Sequence, residues 1–256
     1  MENNYCLNCE FTVDNNFCPK CGQKTDTHRI VLKHFILHDL LHGVWHLEKG
    51  ILFTLKETIL RPGQAALDYI SGKRVKYYNV FYLSLLVIAV NILLLHFNKE
   101  ESGALVKATT LKKMNINDFY SEYSEIVLFS IVPFLALNAK LLFRKLKLNL
   151  AEHLIMGGIT LLGILIISTL YISFDSIKEA FYTFSIAGIF RLIAFFSIPL
   201  YPVWAYRNFT KDYYTFWGFS WRMFTFYVLT LLQLITISLI ISVLFLNDSR
   251  TFEVSF

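Results

Sequence analysis

Cys6-Leu-Asn-Cys9 and Cys18-Pro-Lys-Cys21 stand eight residues apart, and no further cysteine follows in the chain. Each Cys-x-x-Cys pair can present two thiolates to one ion, and two pairs complete a tetrahedral four-sulfur shell. Soft thiolates suit zinc, and a shell with every position filled leaves none for substrate, so the spacing predicts one structural zinc. Iron in the same shell is the alternative. A thioredoxin-type redox pair would need one Cys-x-x-Cys in a βαβ context, and disulfides would need an oxidising compartment. A segment this short cannot bury a useful core, so the metal must supply its folding free energy, on the order of 10 kcal/mol apparent. Lys20 and Lys24 are offset by Glu2, Glu10 and Asp14. Without a basic stripe, nucleic acid is not an expected partner.

A second set of ligand types lies beyond the cysteines. His34, His38, His42 and His46 recur every four residues, so on a helix neighbouring pairs share a face. His38-Asp39-x-x-His42 is similar to the His-Glu-x-x-His helix of zinc hydrolases, with aspartate in place of the base. His38 and His42, joined by His46 or by His153 of the Glu152-His153 pair, would make a second metal site. The competing reading is the polar face of a helix lying at a membrane surface. Arg191, inside an apolar block, is a candidate intramembrane functional residue, although a snorkelling side chain serves as well.

The elements that must position these groups belong to a membrane protein. Apolar residues make up 55% of the chain and charged residues 17%, against roughly 25% charged in a soluble domain. The opening residues carry no apolar stretch of signal-peptide type. The fold class expected is mainly α: a zinc ribbon at 1–24, cytoplasmic juxtamembrane or interfacial helices at 25–77, and a transmembrane domain at 78–256. About five spans are expected, near 79–97, 125–143, 150–174, 182–206 and 221–246, each close to the 20 apolar residues that cross a bilayer. Lys140 and Arg191 interrupt the second and fourth. Asn91, Asn138 and Gln233 read as glue between helices, and Pro133, Pro199 and Pro202 as kinks.

Between the ribbon and the first span, Gly50 marks a break, and ILFTLKETIL then runs to Arg61-Pro62-Gly63. Pro62 suits the first turn of a helix, and Gly72 the position past its end. These helices either lie in the interface, apolar face towards lipid, or pack under the bundle as a cap.

Taken together, Cys6-x-x-Cys9, Phe17-Cys18-Pro-Lys-Cys21-Gly22-Gln23, the histidine run, Gly50, Arg61-Pro62-Gly63, Tyr69, Gly72-Lys73-Arg74 and Tyr77 resemble an uncharacterised bacterial inner-membrane protein family. That family is catalogued as a domain of unknown function and has an N-terminal four-Cys zinc ribbon. Its members often carry proline where this chain has Val80. The resemblance implies fold and location and supplies no activity.

The leading expectation is therefore a non-enzymatic integral membrane protein. Its ribbon would act as a docking or assembly module for a protein partner or a second copy. A membrane-embedded metalloenzyme using the histidines and a transporter or channel component are the alternatives. Basic residues cluster before the first span (Arg61, Lys73, Arg74, Lys76), between the second and third (Arg144, Lys145, Lys147) and between the fourth and fifth (Arg207, Lys211, Arg222). Basic loops stay in the cytoplasm, so the N-terminus is expected inside and the C-terminus outside. A reporter active only outside the cytoplasm should work at residue 176 and at the C-terminus, and fail at residues 2 and 146. Activity at 146 would overturn this topology.

Overall fold

The computed structural model describes residues 5–25, 50–101, 127, 129–130, 132–180 and 186–251. Among them the chain is mainly helical, with two isolated β-bridges in the cysteine-rich segment. Seven helices follow that segment: α1 (Ile51–Leu60), α2 (Pro62–Ile70), α3 (Val80–Glu101), α4 (Val132–Leu142), α5 (Leu150–Ala180), α6 (Ile186–Thr210) and α7 (Phe216–Thr251). Four stretches are long and apolar enough to cross a membrane: Val80–Asn98, Leu150–Phe174, Gly188–Thr210 and Phe216–Val243. In the region expected to hold the second span, α4 is apolar but shorter.

Turn chemistry sets the register of α1 and α2. A Cβ on Gly50 would meet the Tyr78 amide nitrogen at 2.9 Å, so only glycine lets the start of α1 lie against the approach to α3. Thr54 closes this junction: its hydroxyl donates to the Gly50 carbonyl and accepts the Tyr78 N–H. The helix stops at Pro62, which has no N–H to give the Thr58 carbonyl four residues back. Pro62 opens α2 instead. Gly72 ends α2 with φ +102, while the N–H groups of Gly72 and Lys73 return to the carbonyls of Tyr69 and Asp68. This is the Schellman pattern that a glycine past the helix end allows. Asn79 then caps α3 by accepting the Phe81 N–H, so Val80 begins the helix without proline.

α1 presents a mixed face to the protein: Ile51, Phe53 and Leu55 pack against the core, and the Phe53 ring meets Tyr77 edge-on at 5.2 Å. Its buried residues are Thr54, Glu57 and Thr58, while Leu52 and Leu60 are exposed. Its polar groups are answered in part, locally and by α6, while the buried Thr58 hydroxyl has no hydrogen-bond partner. Arg61 reaches Glu57 at 2.6 Å, and the Tyr201 hydroxyl donates to the Thr58 carbonyl that Pro62 leaves without a helical donor. α2 lies so close to α6 that a Cβ on Gly63 would meet backbone atoms of Asn208 and Phe209 at 2.7–2.8 Å. The two helices therefore sit within the bundle base, with Ala65, Ala66 and Tyr69 of α2 buried against it.

α5 is the central helix and packs against α1, α2, α3, α4 and α6. Its glycines make room for neighbours: Gly157 faces Val132, Gly158 faces the Phe81 ring, and Gly163 lies directly under the Tyr201 ring. Small residues at such crossings let backbones approach closely. Intramembrane amides tie the rest together. Asn91 of α3 accepts from Thr169 of α5 at 2.7 Å. Asn138 of α4 and Gln233 of α7 exchange amide hydrogen bonds at 2.9 and 3.0 Å. α7 touches α4 and α6, but little of its span is covered. The turns after α4 and α6 meet at one end of the bundle, where the Lys145 N–H donates to the Tyr214 hydroxyl. The base formed by α1 and α2 lies at that same end, through the Gly63 crossing.

Tyr201 serves two neighbours at once, and this can be separated by mutation. Tyr201→Phe should cost about 1–3 kcal/mol by orphaning the buried Thr58 carbonyl. Gly163→Ala should cost a similar amount, about 1–3 kcal/mol, by overpacking the ring. Tyr201→Leu, which removes the clashing ring atoms, should rescue Gly163→Ala. Unfolding of the purified protein in detergent checks this, and additive losses in the double variant would contradict it.

Candidate metal centre

The cysteine-rich segment is two copies of one small device, related by a shift of twelve residues. In the first, Cys6 N–H donates to the Phe11 carbonyl and Glu10 N–H returns to the Cys6 carbonyl, both at 2.8 Å. In the second, Cys18 N–H donates to Gln23 and Gly22 N–H returns to Cys18, also at 2.8 Å. The isolated bridges keep the same offset, Tyr5 with Thr12 and Phe17 with Lys24. Each loop must turn back immediately after its second cysteine. That residue therefore has positive φ, +59° at Glu10 and +75° at Gly22. Glycine adopts this conformation freely; glutamate does so at a cost.

The repeat brings four sulfurs together. One atom from each of Cys6, Cys9, Cys18 and Cys21 lies within 4.8 Å of the others. The sulfurs of Cys6 and Cys21, and those of Cys9 and Cys18, are 3.5 Å apart. A tetrahedral metal with sulfur arms of about 2.3 Å has edges of about 3.8 Å, so the cluster is shaped to hold one ion. All four cysteines are free thiols, with Cys6 and Cys18 buried and Val13 packed against them. The crowded thiols do not share protons evenly. Cys21 falls to about 6: burial raises it, but the Gln23 backbone, the Asn8 side chain and the Cys6 and Cys9 thiols together lower it further. Cys9 rises to about 12, as burial and the other three sulfurs overcome the lowering by the Phe11 backbone. A bound metal would remove this conflict by holding all four as thiolates.

One side chain outside the ligand set attaches the ribbon to the rest of the chain. Gln23, nearly buried, donates from Nε2 to the Gly72 carbonyl at 2.8 Å. Gly72 is the positive-φ residue that ends α2, so the ribbon docks where the helix carbonyls run out. Beside it lies a polar cluster: Tyr77 and Lys73 both reach the Asp68 carboxylate, at 3.2 and 3.3 Å. Burial, reinforced by the Asp68 and Glu57 carboxylates, pushes the Tyr77 hydroxyl well above the ordinary tyrosine range, so it stays a donor. The twelve-residue repeat and the role of Gln23 were missed by the sequence reading. The pairing of Tyr5-Cys6 with Phe17-Cys18 is the signal that could have found the first.

Of the other candidate residues, His34, His38, His42 and His46 lie outside the described residues. His153 is buried in the first turn of α5, and its Nδ1 has no hydrogen-bond partner. Its neighbour Glu152 closes a capping box: Asn149 accepts the Glu152 N–H at 2.9 Å, and the Glu152 carboxylate accepts the Asn149 N–H at 2.7 Å. Start-of-helix chemistry thus accounts for Glu152. Arg191 is half-buried on α6, between the exposed Phe190 and Leu192.

Residues 48–90 match a family model described as a protein of unknown function (DUF3667). The match spans α1, Arg61-Pro62-Gly63, α2, the Gly72 turn and the first half of α3. These are the elements that form the bundle base and the ribbon's seat. No curated protein and no solved structure matches the chain.

The unequal turn residues give a test. Glu10→Gly should tighten metal binding about fivefold by relieving roughly 1 kcal/mol of left-handed strain. Gly22→Ala should loosen it by a similar factor. Competition with a chromophoric chelator for Zn²⁺ measures both, and equal affinity in all three proteins would contradict the strain argument.

Proposed function

We propose that this chain is an integral protein of the bacterial inner membrane, with N-terminus in the cytoplasm and C-terminus outside. Its four cysteines hold one structural zinc, and the folded ribbon is a docking or assembly module. The observation that carries this reading is the surface the ribbon shows. Tyr5, Phe11 and Phe17 are all exposed on a unit of some twenty residues that is seated on the base by Gln23. Exposed aromatic side chains held on a rigid frame are what a protein partner uses as anchors. The four-sulfur geometry supports zinc because thiolates of this number and spacing fill its shell. The reducing cytoplasm suits thiolates rather than disulfides. Support for the orientation comes from the basic turns 144–147 and 207–222, which meet at the end where the ribbon sits.

Elemental analysis should find one zinc per chain. X-ray absorption should find sulfur ligands only, and nitrogen in the shell would exclude this site. Cys18→Ser should lose the metal while the spans stay inserted. Zinc binding should release protons and weaken as pH falls, because the ligands are thiolates. A photo-crosslinker at position 17 should capture a defined partner or a second copy of the chain in metal-loaded membranes. Cross-linking that is unchanged in Cys18→Ser would refute the docking role.

A further inference from the structure

The turns after α4 and α6 gather cations around the buried Tyr214 and Phe219 rings, and the one acid of those turns, Asp212, is exposed and forms no ion pair with them. Arg222 stands 4.4 Å and Lys145 Nζ 5.4 Å from the centre of the Tyr214 ring, so the two charges lie within about 10 Å, a Debye length at 0.1 M salt. Arg207 donates to the Tyr214 carbonyl and sits over the Phe219 ring. Arg222 is held by the carbonyls of Leu142 and Gly218. Arg61–Glu57 and Lys73–Asp68 are ion pairs elsewhere in the chain, whereas none of these three cations has a carboxylate partner among the described residues. Like charges brought together and fixed by neutral groups repel one another, and an anion between them relieves the repulsion. The guanidinium forks suit phosphate oxygens in particular.

The first two turns of α7 favour a lipid as the source of that phosphate. Trp217, Trp221 and Phe224 occupy one face of α7 at helical spacing, are all exposed, and Trp221 and Phe224 stack. Aromatic residues of this kind belong to the headgroup level of a bilayer. Basic pockets between membrane helices are recognised sites for anionic headgroups. We infer that Lys145, Arg207 and Arg222 beside Tyr214 and Phe219 bind the phosphate of an anionic phospholipid at the headgroup level that Trp217 and Trp221 mark. This requires the helices to be in a membrane, and it is independent of the zinc and docking readings.

The test uses the full chain with Trp45 and Trp204 replaced by phenylalanine, leaving Trp217 and Trp221 as the emitters among its four tryptophans. In nanodiscs, dibrominated phosphatidylglycerol should quench them with several-fold preference over dibrominated phosphatidylcholine. Lys145→Gln should cut that preference about fivefold, and Arg207→Gln should do the same. Lys145→Gln keeps the backbone bond to Tyr214, and therefore tests charge even if the arginine variants fail to fold. Raising the salt to 0.5 M should weaken the preference, and millimolar inorganic phosphate should not abolish it. Equal quenching by the two lipids, an unchanged preference in Lys145→Gln, or displacement by inorganic phosphate as effective as by lipid would each overturn the site.

Discussion

Pro62 leaves the Thr58 carbonyl without its helical donor, and the architecture of the bundle base depends on how that one group is answered. Tyr201, from α6, supplies the hydroxyl. To reach it, the ring must cross α5, and it can do so only because residue 163 is glycine. Three elements are thereby fixed by one side chain: α1 through a hydrogen bond, α5 through contact, and α6 because it carries the tyrosine. An unpaired carbonyl in a dry site costs more than the hydrogen bond itself contributes. The arrangement is therefore specific rather than merely cohesive. The Gly63 crossing of α2 over α6 reinforces it about two turns further along α6, with backbone against backbone.

The same rule, that lipid offers polar groups nothing, organises the spans. Apolar side chains cannot distinguish a neighbouring helix from a lipid tail, so register comes from small residues and amides. The reciprocal Asn138–Gln233 pair and the Arg222 bond to the Leu142 carbonyl tie α7 to α4, and the Tyr227 hydroxyl on the Pro199 carbonyl ties α7 to α6. α5 needs few such ties because its neighbours surround it. The gradient from a buried α5 to a largely uncovered α7 separates a packed half of the bundle from a half that faces lipid. The cationic cluster around Tyr214 lies on the boundary between them.

Much of this was legible in the sequence, and the reason differs from part to part. The cysteine cluster could be read because ligand chemistry dictates residue type and spacing. The four long apolar helices could be read because bilayer thickness dictates length. Asn91, Asn138 and Gln233 could be read as glue because lipid leaves them no other partner. The burial of Thr54, Glu57 and Thr58 in α1, with Leu52 and Leu60 turned outward, could not, because it rests on partners such as the Tyr78 N–H that only the folded chain supplies. The central role of α5 was likewise hidden, since apolar runs look alike whether they meet protein or lipid. The seat of the ribbon depends on Gln23 and a backbone carbonyl, and a carbonyl has no sequence signature.

The bond between Tyr201 and Thr58 joins residues 143 positions apart, and this has a consequence for synthesis. At about 5–20 residues per second, roughly 7 to 30 s separate the appearance of the acceptor from that of its donor. Throughout that interval α1 exists without its partner, and water must satisfy the Thr58 carbonyl. The base can lock only after α6 has been made and placed, although α1 and α2 are among the first elements to leave the ribosome. The earliest helices of this protein are thus among the last to be finished, and a chain interrupted before α6 would keep its cysteine ribbon without a completed seat beneath it.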